Sequence, residues 1–177
     1  MAEPAAPHGE VAAMVAVQSA LADRPQVLAT ARGLSHFGEH SIGWLAGSLL
    51  GAVLVPRRRR VWLVAGAGVF AAHAAAVLIK RLVRRPRPHH PAVVVNVSTP
   101  SRLSFPSAHA TSTTAAAILM GRAAGLSKRV CAATVVPPMA VSRVLLGVHY
   151  PSDVAAGVAL GAAVAAIAIR ADGAPER

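Results

Sequence analysis

The chain carries the sequence VWLVAGAGVFAAHAAAVLI at residues 61–79, a stretch of 19 positions without Asp, Glu, Lys or Arg. A helix that crosses the hydrocarbon core of a membrane needs about 20 mostly apolar residues. Each helix of a soluble bundle needs a polar face, and this stretch shows none over about five turns. The stretch therefore predicts a transmembrane helix and argues against a soluble helical protein.

The same pattern recurs along the chain in four more runs without charged residues: 41–55, 103–121, 130–142 and 154–169. Runs shorter than about 17 residues need flanking positions to span the membrane. We expect these positions to come from 34–43 and 144–148. Together the runs predict an all-α integral membrane bundle with about five transmembrane helices and loops that alternate between the two sides.

The N-terminal segment has a different pattern, in which apolar residues recur at helical spacing among polar neighbours: Val11, Met14, Val15 and Leu21. The pattern ends before Pro25 and predicts an amphipathic helix that lies at the membrane interface. We therefore expect a single domain over 1–177. An interfacial segment at 1–33 would precede a transmembrane catalytic core at 34–170.

Composition excludes some classes of protein. Charged residues make up 14% and hydrophobic residues 54%, which excludes a disordered or charge-rich linker protein. The 18 Lys and Arg outnumber the 7 Asp and Glu, and the net charge of +11 indicates a polyanionic partner. The single cysteine, Cys131, allows neither an intrachain disulfide nor a zinc site built on cysteines.

The basic residues divide between the two predicted sides of the membrane. One side has nine: Arg57, Arg58, Arg59, Arg60, Arg122, Lys128, Arg129, Arg170 and Arg177. The other has seven: Lys80, Arg81, Arg84, Arg85, Arg87, Arg102 and Arg143. Because cytoplasmic loops carry the excess of Lys and Arg, the first side is expected to be cytoplasmic. The division also argues against nucleic acid as a partner, since the charge forms no single groove.

Three segments on the second side carry groups that hold or attack a phosphate. They are KRLVRRPRP at 80–88, PSAH at 106–109 and SRVLLGVHYPSD at 142–153. An arginine inside an apolar run, as Arg143 is, is costly unless an anion meets it. A bound phosphate is therefore its expected partner.

His149 and Asp153 are four positions apart, with Pro151 between them. A turn there can bring the carboxylate to the imidazole and fix the tautomer. With Nδ1–H held by Asp153, His149 would present a free Nε2 as a nucleophile or a base. The alternative for Asp153 is that it only caps the last helix.

Ser107 stands at a predicted helix start, so the amides of Ser107, Ala108 and His109 are expected to point at an anion. His109 is placed to give a proton to a leaving oxygen, and its alternative is an interfacial histidine bonded to water. The remaining arginines of the first segment are interpreted as anchors to acidic lipid headgroups: Arg81, Arg84 and Arg85.

The spacings Lys80-x6-Arg87-Pro88 and Ser142-Arg143-x5-His149-x3-Asp153, with Pro106-Ser107-Ala108-His109 between them, closely resemble a known three-part signature. It is that of the type 2 phosphatidic acid phosphatase (PAP2) superfamily, metal-independent membrane lipid phosphatases whose active-site plan is shared with vanadium haloperoxidases. One position departs from the family pattern, because Ala108 replaces the usual glycine. Only a φ above zero at this position would exclude alanine.

The resemblance implies roles for eight residues. His149 would attack phosphorus to form a phosphohistidine, Asp153 would orient its imidazole, and His109 would protonate the leaving alkoxide and then activate water. The phosphate oxygens would be held by the five others: Lys80, Arg87, Ser107, Ala108 and Arg143. Neither a metal nor another cofactor is expected.

The expected substrate is a lipid phosphate drawn from the bilayer of the cell membrane, at a site on the extracytoplasmic side. The Ala, Arg, Gly and Pro bias resembles actinobacterial proteins, which favours decaprenylphosphoryl-5-phosphoribose of cell-wall arabinan synthesis. Undecaprenyl pyrophosphate and phosphatidylglycerophosphate or phosphatidic acid are the alternatives. Other classes are a non-catalytic anionic-lipid-binding protein and a haloperoxidase. Gly157-x3-Gly161 permits close helix pairing, either within the monomer or in a homo-oligomer.

Overall fold

The computed structural model describes residues 6–173, and within this range the regular structure is helical, with no strand. Its seven α-helices are α1 Gly9–Leu21, α2 Pro25–Gly38, α3 Ile42–Leu54, α4 Arg59–Val83, α5 Ala108–Ala124, α6 Lys128–Leu145 and α7 Pro151–Asp172. The predicted all-α class is confirmed. Two parts of the predictions, positions 1–5 of the interfacial segment and Arg177 of the charge count, lie outside the described residues.

Helix α5 lies at the centre of the bundle and packs against α4, α6 and α7. Its buried side chains are nearly all Ala, Ser and Thr, which allow close helix approach. On α7, a Cβ at Gly157 would lie 2.6 Å from the carbonyl oxygen of Ser107, and one at Gly161 would meet the carbonyl oxygen of Thr111. The two glycines therefore pack α7 on α5 within one chain.

The helix ends alternate as predicted. Arg58, which follows α3, donates to the carbonyl of Ala123 at the end of α5. Asp172, at the end of α7, accepts ion pairs from Arg60 at 3.2 Å and Arg122 at 2.8 Å. One end of the bundle therefore collects these basic residues, and the three motif segments lie at the opposite end.

Two helical segments of the described chain are long and apolar enough to cross a membrane, Pro56–Val83 with 28 residues and Pro151–Asp172 with 22. Large apolar side chains are exposed on the outer faces of α3, α4 and α7: Leu49, Val53, Leu63, Phe70, Leu78 and Ile167. Such a surface suits lipid and not water. The protein is an integral membrane protein, and the number of its spans stays a prediction.

The predicted use of 34–43 and 144–148 to lengthen the short runs is met only in part, because the helices break within both ranges. A 3-10 turn at Glu39–Ser41 separates α2 from α3, with left-handed φ values of 48° at His40 and 62° at Ser41. These values end a right-handed helix. Helix α6 ends at Leu145, and its chain then turns through Gly147 with a φ of 73°.

The predicted N-terminal helix is present as α1, and α2 runs across the expected boundary at 33/34. The apolar residues of α1 face protein: Met14 is fully buried beside Val93, Val144 and Val154. Gln18 is also buried, and its amide nitrogen donates to the carbonyls of Val94 and Leu145. Helix α1 therefore fastens the 84–107 loop to the end of α6.

Candidate active site

The first two motif segments lie side by side at the end of α4. Pro86 pairs with Leu103 in an antiparallel bridge, and the amide of Ser104 donates to the carbonyl of Arg85 at 2.8 Å. Lys80, in the last turn of α4, donates from Nζ to the carbonyls of Leu103 at 3.0 Å and Ser104 at 2.9 Å. Lys80 thus ties the end of α4 to the residues just before the second motif segment, and it lines the cavity.

Arg87 of the first motif contacts His149 of the third. Arg87 Nη1 lies 3.3 Å from His149 Nε2 and donates to the carbonyl of Val148 at 2.6 Å, and Arg87 Nε donates to that of Ser101 at 2.8 Å. Burial, together with the nearby charges of Arg87 and Lys80, lowers the pKa of His149 to about 3. The imidazole is therefore neutral at pH 7, and its Nε2 lone pair faces Arg87.

Asp153 lies beside the same imidazole and also caps α7. Its Oδ2 accepts the Tyr150 amide at 2.9 Å, as in a capping box, and lies 3.6 Å from His149 Nδ1. The second distance is longer than a hydrogen bond. His149 Nδ1 is buried and has no partner in the described chain. The capping interpretation of Asp153 therefore applies, and its bond to His149 stays a prediction, since a movement of roughly half an ångström is needed to close it.

Arg85 does not act as a lipid anchor, so that interpretation is wrong for this residue. Its Nη1 donates to Asp153 Oδ1 at 2.8 Å and its Nη2 to Glu10 Oε2 at 2.8 Å. Its guanidinium also lies 4.1 Å from the centre of the Tyr150 ring.

Glu10 Oε1 in turn accepts the Ser152 amide at 2.8 Å. The N-terminal helix therefore reaches the carboxylate beside His149, whereas Arg81 and Arg84 stay exposed.

His109 and Arg143 meet at Ser35 of α2. His109 Nε2 donates to the carbonyl of Ser35 at 2.9 Å, which leaves Nδ1 to carry a transferred proton. Arg143, 1% exposed, donates to the hydroxyls of Ser35 and Ser142, each at 3.1 Å. Its Nη2 is buried without a partner among residues 6–173. An unpaired guanidinium N–H inside a protein is costly, and an anion in the cavity would satisfy it.

The amide of Ser107 is not available to an anion, so that prediction is wrong. It donates to the carbonyl of Asp153 at 2.9 Å, and the Ser107 hydroxyl caps α5 by accepting the Ala110 amide at 3.4 Å. Ala108 is the first residue of α5 and has no positive φ, so alanine fits where the family has glycine. Within residues 6–173 the amides of Ala108 and His109 have no acceptor.

One cavity of about 550 Å³ collects six of the eight predicted residues: Lys80, Arg87, Ala108, His109, Arg143 and His149. Ser107 and Asp153 are not among the residues that line it. Sequence reasoning missed that the end of α2 and the turn after it also line this cavity, through Ser35, Glu39 and His40. It also missed His73 of α4. A histidine inside the apolar stretch 61–79 was the visible signal.

Comparison with known proteins agrees with this geometry. Residues 60–174 match the family model of the PAP2 superfamily. The chain is 74% identical to decaprenylphosphoryl-5-phosphoribose phosphatase of Mycobacterium tuberculosis, over 97% of this chain and 96% of that protein. It is 64% identical to the protein of the same name from Mycolicibacterium smegmatis, over 86% of this chain and 83% of that protein.

A solved structure shares the fold. The transmembrane PAP2-type phosphatidylglycerolphosphate phosphatase of Bacillus subtilis superposes with a TM-score of 0.73 over 94% of this chain and 87% of that chain, at 22% identity. At this identity the likeness speaks for the fold alone. The family match covers more than half of the chain and includes all three motif segments. The chain therefore belongs to the PAP2 superfamily and is a membrane phosphatase.

Proposed function

We propose that this phosphatase removes the 5-phosphate of decaprenylphosphoryl-5-phosphoribose, a precursor of cell-wall arabinan. The observation that carries the phosphatase chemistry is the single cavity that joins His149 to Lys80, Arg87 and the unpaired guanidinium of Arg143. The names of the relatives at 74% and 64% identity support the choice of substrate.

In the proposed reaction the Nε2 lone pair of His149 attacks phosphorus, and the bond to the ribose oxygen breaks. The leaving oxygen takes the Nδ1 proton of His109, which enters the reaction protonated on both ring nitrogens and keeps its Nε2–H on Ser35. His149 Nδ1–H is then held by Asp153, which stabilises the positive charge of the phosphorylated imidazole. Water, deprotonated by His109, hydrolyses the phosphohistidine and restores both histidines.

The cations supply most of the catalysis in this proposal, because phosphoryl transfer needs stabilised oxygen charges. Lys80, Arg87 and Arg143 surround the site of attack, and their hydrogen bonds to backbone carbonyls and serine hydroxyls fix them in place. The free amides of Ala108 and His109 at the start of α5 would complete the phosphate site.

We further propose that the cavity faces the extracytoplasmic side of the cell membrane and takes its substrate laterally from the bilayer. The opposite end of the bundle carries Arg57 to Arg60, Arg122, Lys128, Arg129 and Arg170, as expected for a cytoplasmic end. A cysteine introduced at exposed His89 should react with a membrane-impermeant thiol reagent on intact cells in a Cys131→Ser background.

The reaction is tested by phosphate release from purified protein in detergent, with a chelator present. The probes are a short-chain prenylphosphoryl-5-phosphoribose, farnesyl pyrophosphate and phosphatidylglycerophosphate. We expect the first to have the highest kcat/KM and His149→Ala to abolish phosphate release. Equal thermal melting of wild type and variant is the control for folding. Residual turnover by the variant, or loss of wild-type activity with chelator, would refute the mechanism.

A further inference from the structure

His73 is a polar residue that the phosphate chemistry does not use. It lies in the apolar stretch of α4, its side chain lines the cavity, and its Nδ1 lies 2.9 Å from the Ser41 hydroxyl. An ionisable side chain within a membrane span is costly and marks a functional position. We therefore expect His73 to bind a ligand or to have a structural role in addition to its hydrogen bond with Ser41.

The turn between α2 and α3 brings a second histidine to the first. His40 has a left-handed φ of 48°, and its ring centre lies 6.1 Å from that of His73. Two successive residues other than glycine in this conformation are uncommon and are held only where the fold requires them. The result is that Glu39 and His40 form the cavity wall opposite His73.

The part of the cavity that Glu39, His40 and His73 line adjoins the proposed phosphate site. His73, Val77 and Lys80 are spaced on one face of α4, and all three line the cavity. Seven residues of helix place the His73 end about 10 Å from the Lys80 end, toward the middle of the span. A substrate whose phosphate lay at Lys80 and whose leaving alcohol extended toward the middle of the span would meet these side chains.

The chemistry of this end suits hydroxyl groups. Imidazole nitrogens accept or donate single hydrogen bonds, and the Glu39 carboxylate accepts hydrogen bonds from hydroxyls. Lys80 lines the cavity at the other end of this face of α4. We propose that Glu39, His40 and His73 form a hydroxyl-binding subsite for the sugar ring next to the scissile phosphate, an inference that rests on the proposed function.

The test compares two substrates on the same preparation, prenylphosphoryl-5-phosphoribose and farnesyl phosphate, which lacks the sugar. His40→Asn keeps a residue that tolerates the left-handed backbone, and His73→Gln keeps one hydrogen-bonding group at the position. We expect each variant to lower kcat/KM for the sugar substrate about tenfold and to leave that for farnesyl phosphate unchanged. His89→Asn, at an exposed loop position, is the matched control.

The outcomes separate this inference from the proposed function. Equal losses on both substrates would mean a structural role for the histidines and would overturn the subsite, as would unchanged kcat/KM on the sugar substrate. A wild-type protein that hydrolyses farnesyl phosphate but not the sugar substrate would overturn the proposed substrate and the subsite together. Wild-type inactivity on both substrates would overturn the proposed reaction as well.

Discussion

Arg85 Nη1 donates to Asp153 Oδ1 at 2.8 Å, so a cation of the protein pairs with the carboxylate beside His149. The other oxygen of Asp153 remains directed at the imidazole. The second Arg85 nitrogen is bound to Glu10 of α1, which lies outside the residues matched by the family model. The position of the carboxylate beside His149 therefore depends on a helix that the family motifs do not include.

We predict that Glu10→Gln lowers kcat about tenfold with little change in KM, because a loosened Arg85 no longer holds Asp153 in place. Glu10→Asp should recover part of the loss. Asp23→Asn removes an exposed acid after α1 and should have no effect. The measurement is steady-state phosphate release, and an unchanged kcat in Glu10→Gln would contradict the positioning of Asp153 through Arg85.

Arg143→Met should have opposite effects on activity and on stability. Removing a cation from the phosphate site is expected to lower kcat/KM about a thousandfold. Removing a buried, partly unpaired charge is expected to leave the melting temperature of the substrate-free protein unchanged or higher. Thermal melts with and without orthovanadate test both parts, since vanadate should stabilise the wild type only. A large fall in the melting temperature would show that Arg143 is chiefly structural.

The backbone amide of Ala108 can be tested without changing a side chain that reacts. Proline is tolerated at the first position of a helix, where Ala108 lies, and it removes the N–H. We expect Ala108→Pro to fold and to lose about a hundredfold in kcat. Ala108→Gly keeps the amide and should stay within a fewfold of wild type. Equal activity of the two variants would exclude this amide from phosphate binding.

The buried neutral imidazole of His149 should affect stability as a function of pH. Because its pKa is about 3 in the folded protein and about 6.5 when unfolded, the unfolded chain binds the extra proton between these values. This contribution is fully present above about pH 6.5 and is lost as the pH falls toward 3. Melting temperatures of His149→Gln should therefore decline less between pH 7 and 4 than those of wild type. The exposed control His89→Asn should follow wild type.

Much of the cavity could be foreseen from the three segments and their resemblance to the family signature. Lys80, Arg87, His109, Arg143 and His149 lie at helix ends on one predicted side, and the structure places all five on one cavity. The prediction for Ser107 failed because its backbone N–H donates a hydrogen bond to a carbonyl of the protein and is not free to bind an anion. Nothing in the local sequence says that the carbonyl of Asp153 is within reach.

The residues missed are those whose partners are remote in the chain. Glu10 meets Arg85 across 75 positions, and Ser35 meets Arg143 across 108. Such pairs are created when helices pack, and periodicity within one segment carries no information about them. The break at His40 was missed for the same reason, because its strained backbone persists only where surrounding contacts require it.

The sequence by itself determined the membrane-helical class, since the long uncharged run at 61–79 has no stable alternative in water. It also determined which cations and imidazoles stand at one end of the bundle. Only the tertiary structure decided which of their atoms form hydrogen bonds within the protein and which remain unpaired in the cavity. Hydrogen bonds are short-ranged and directional, so that division depends on packing between helices and not on the order of residues.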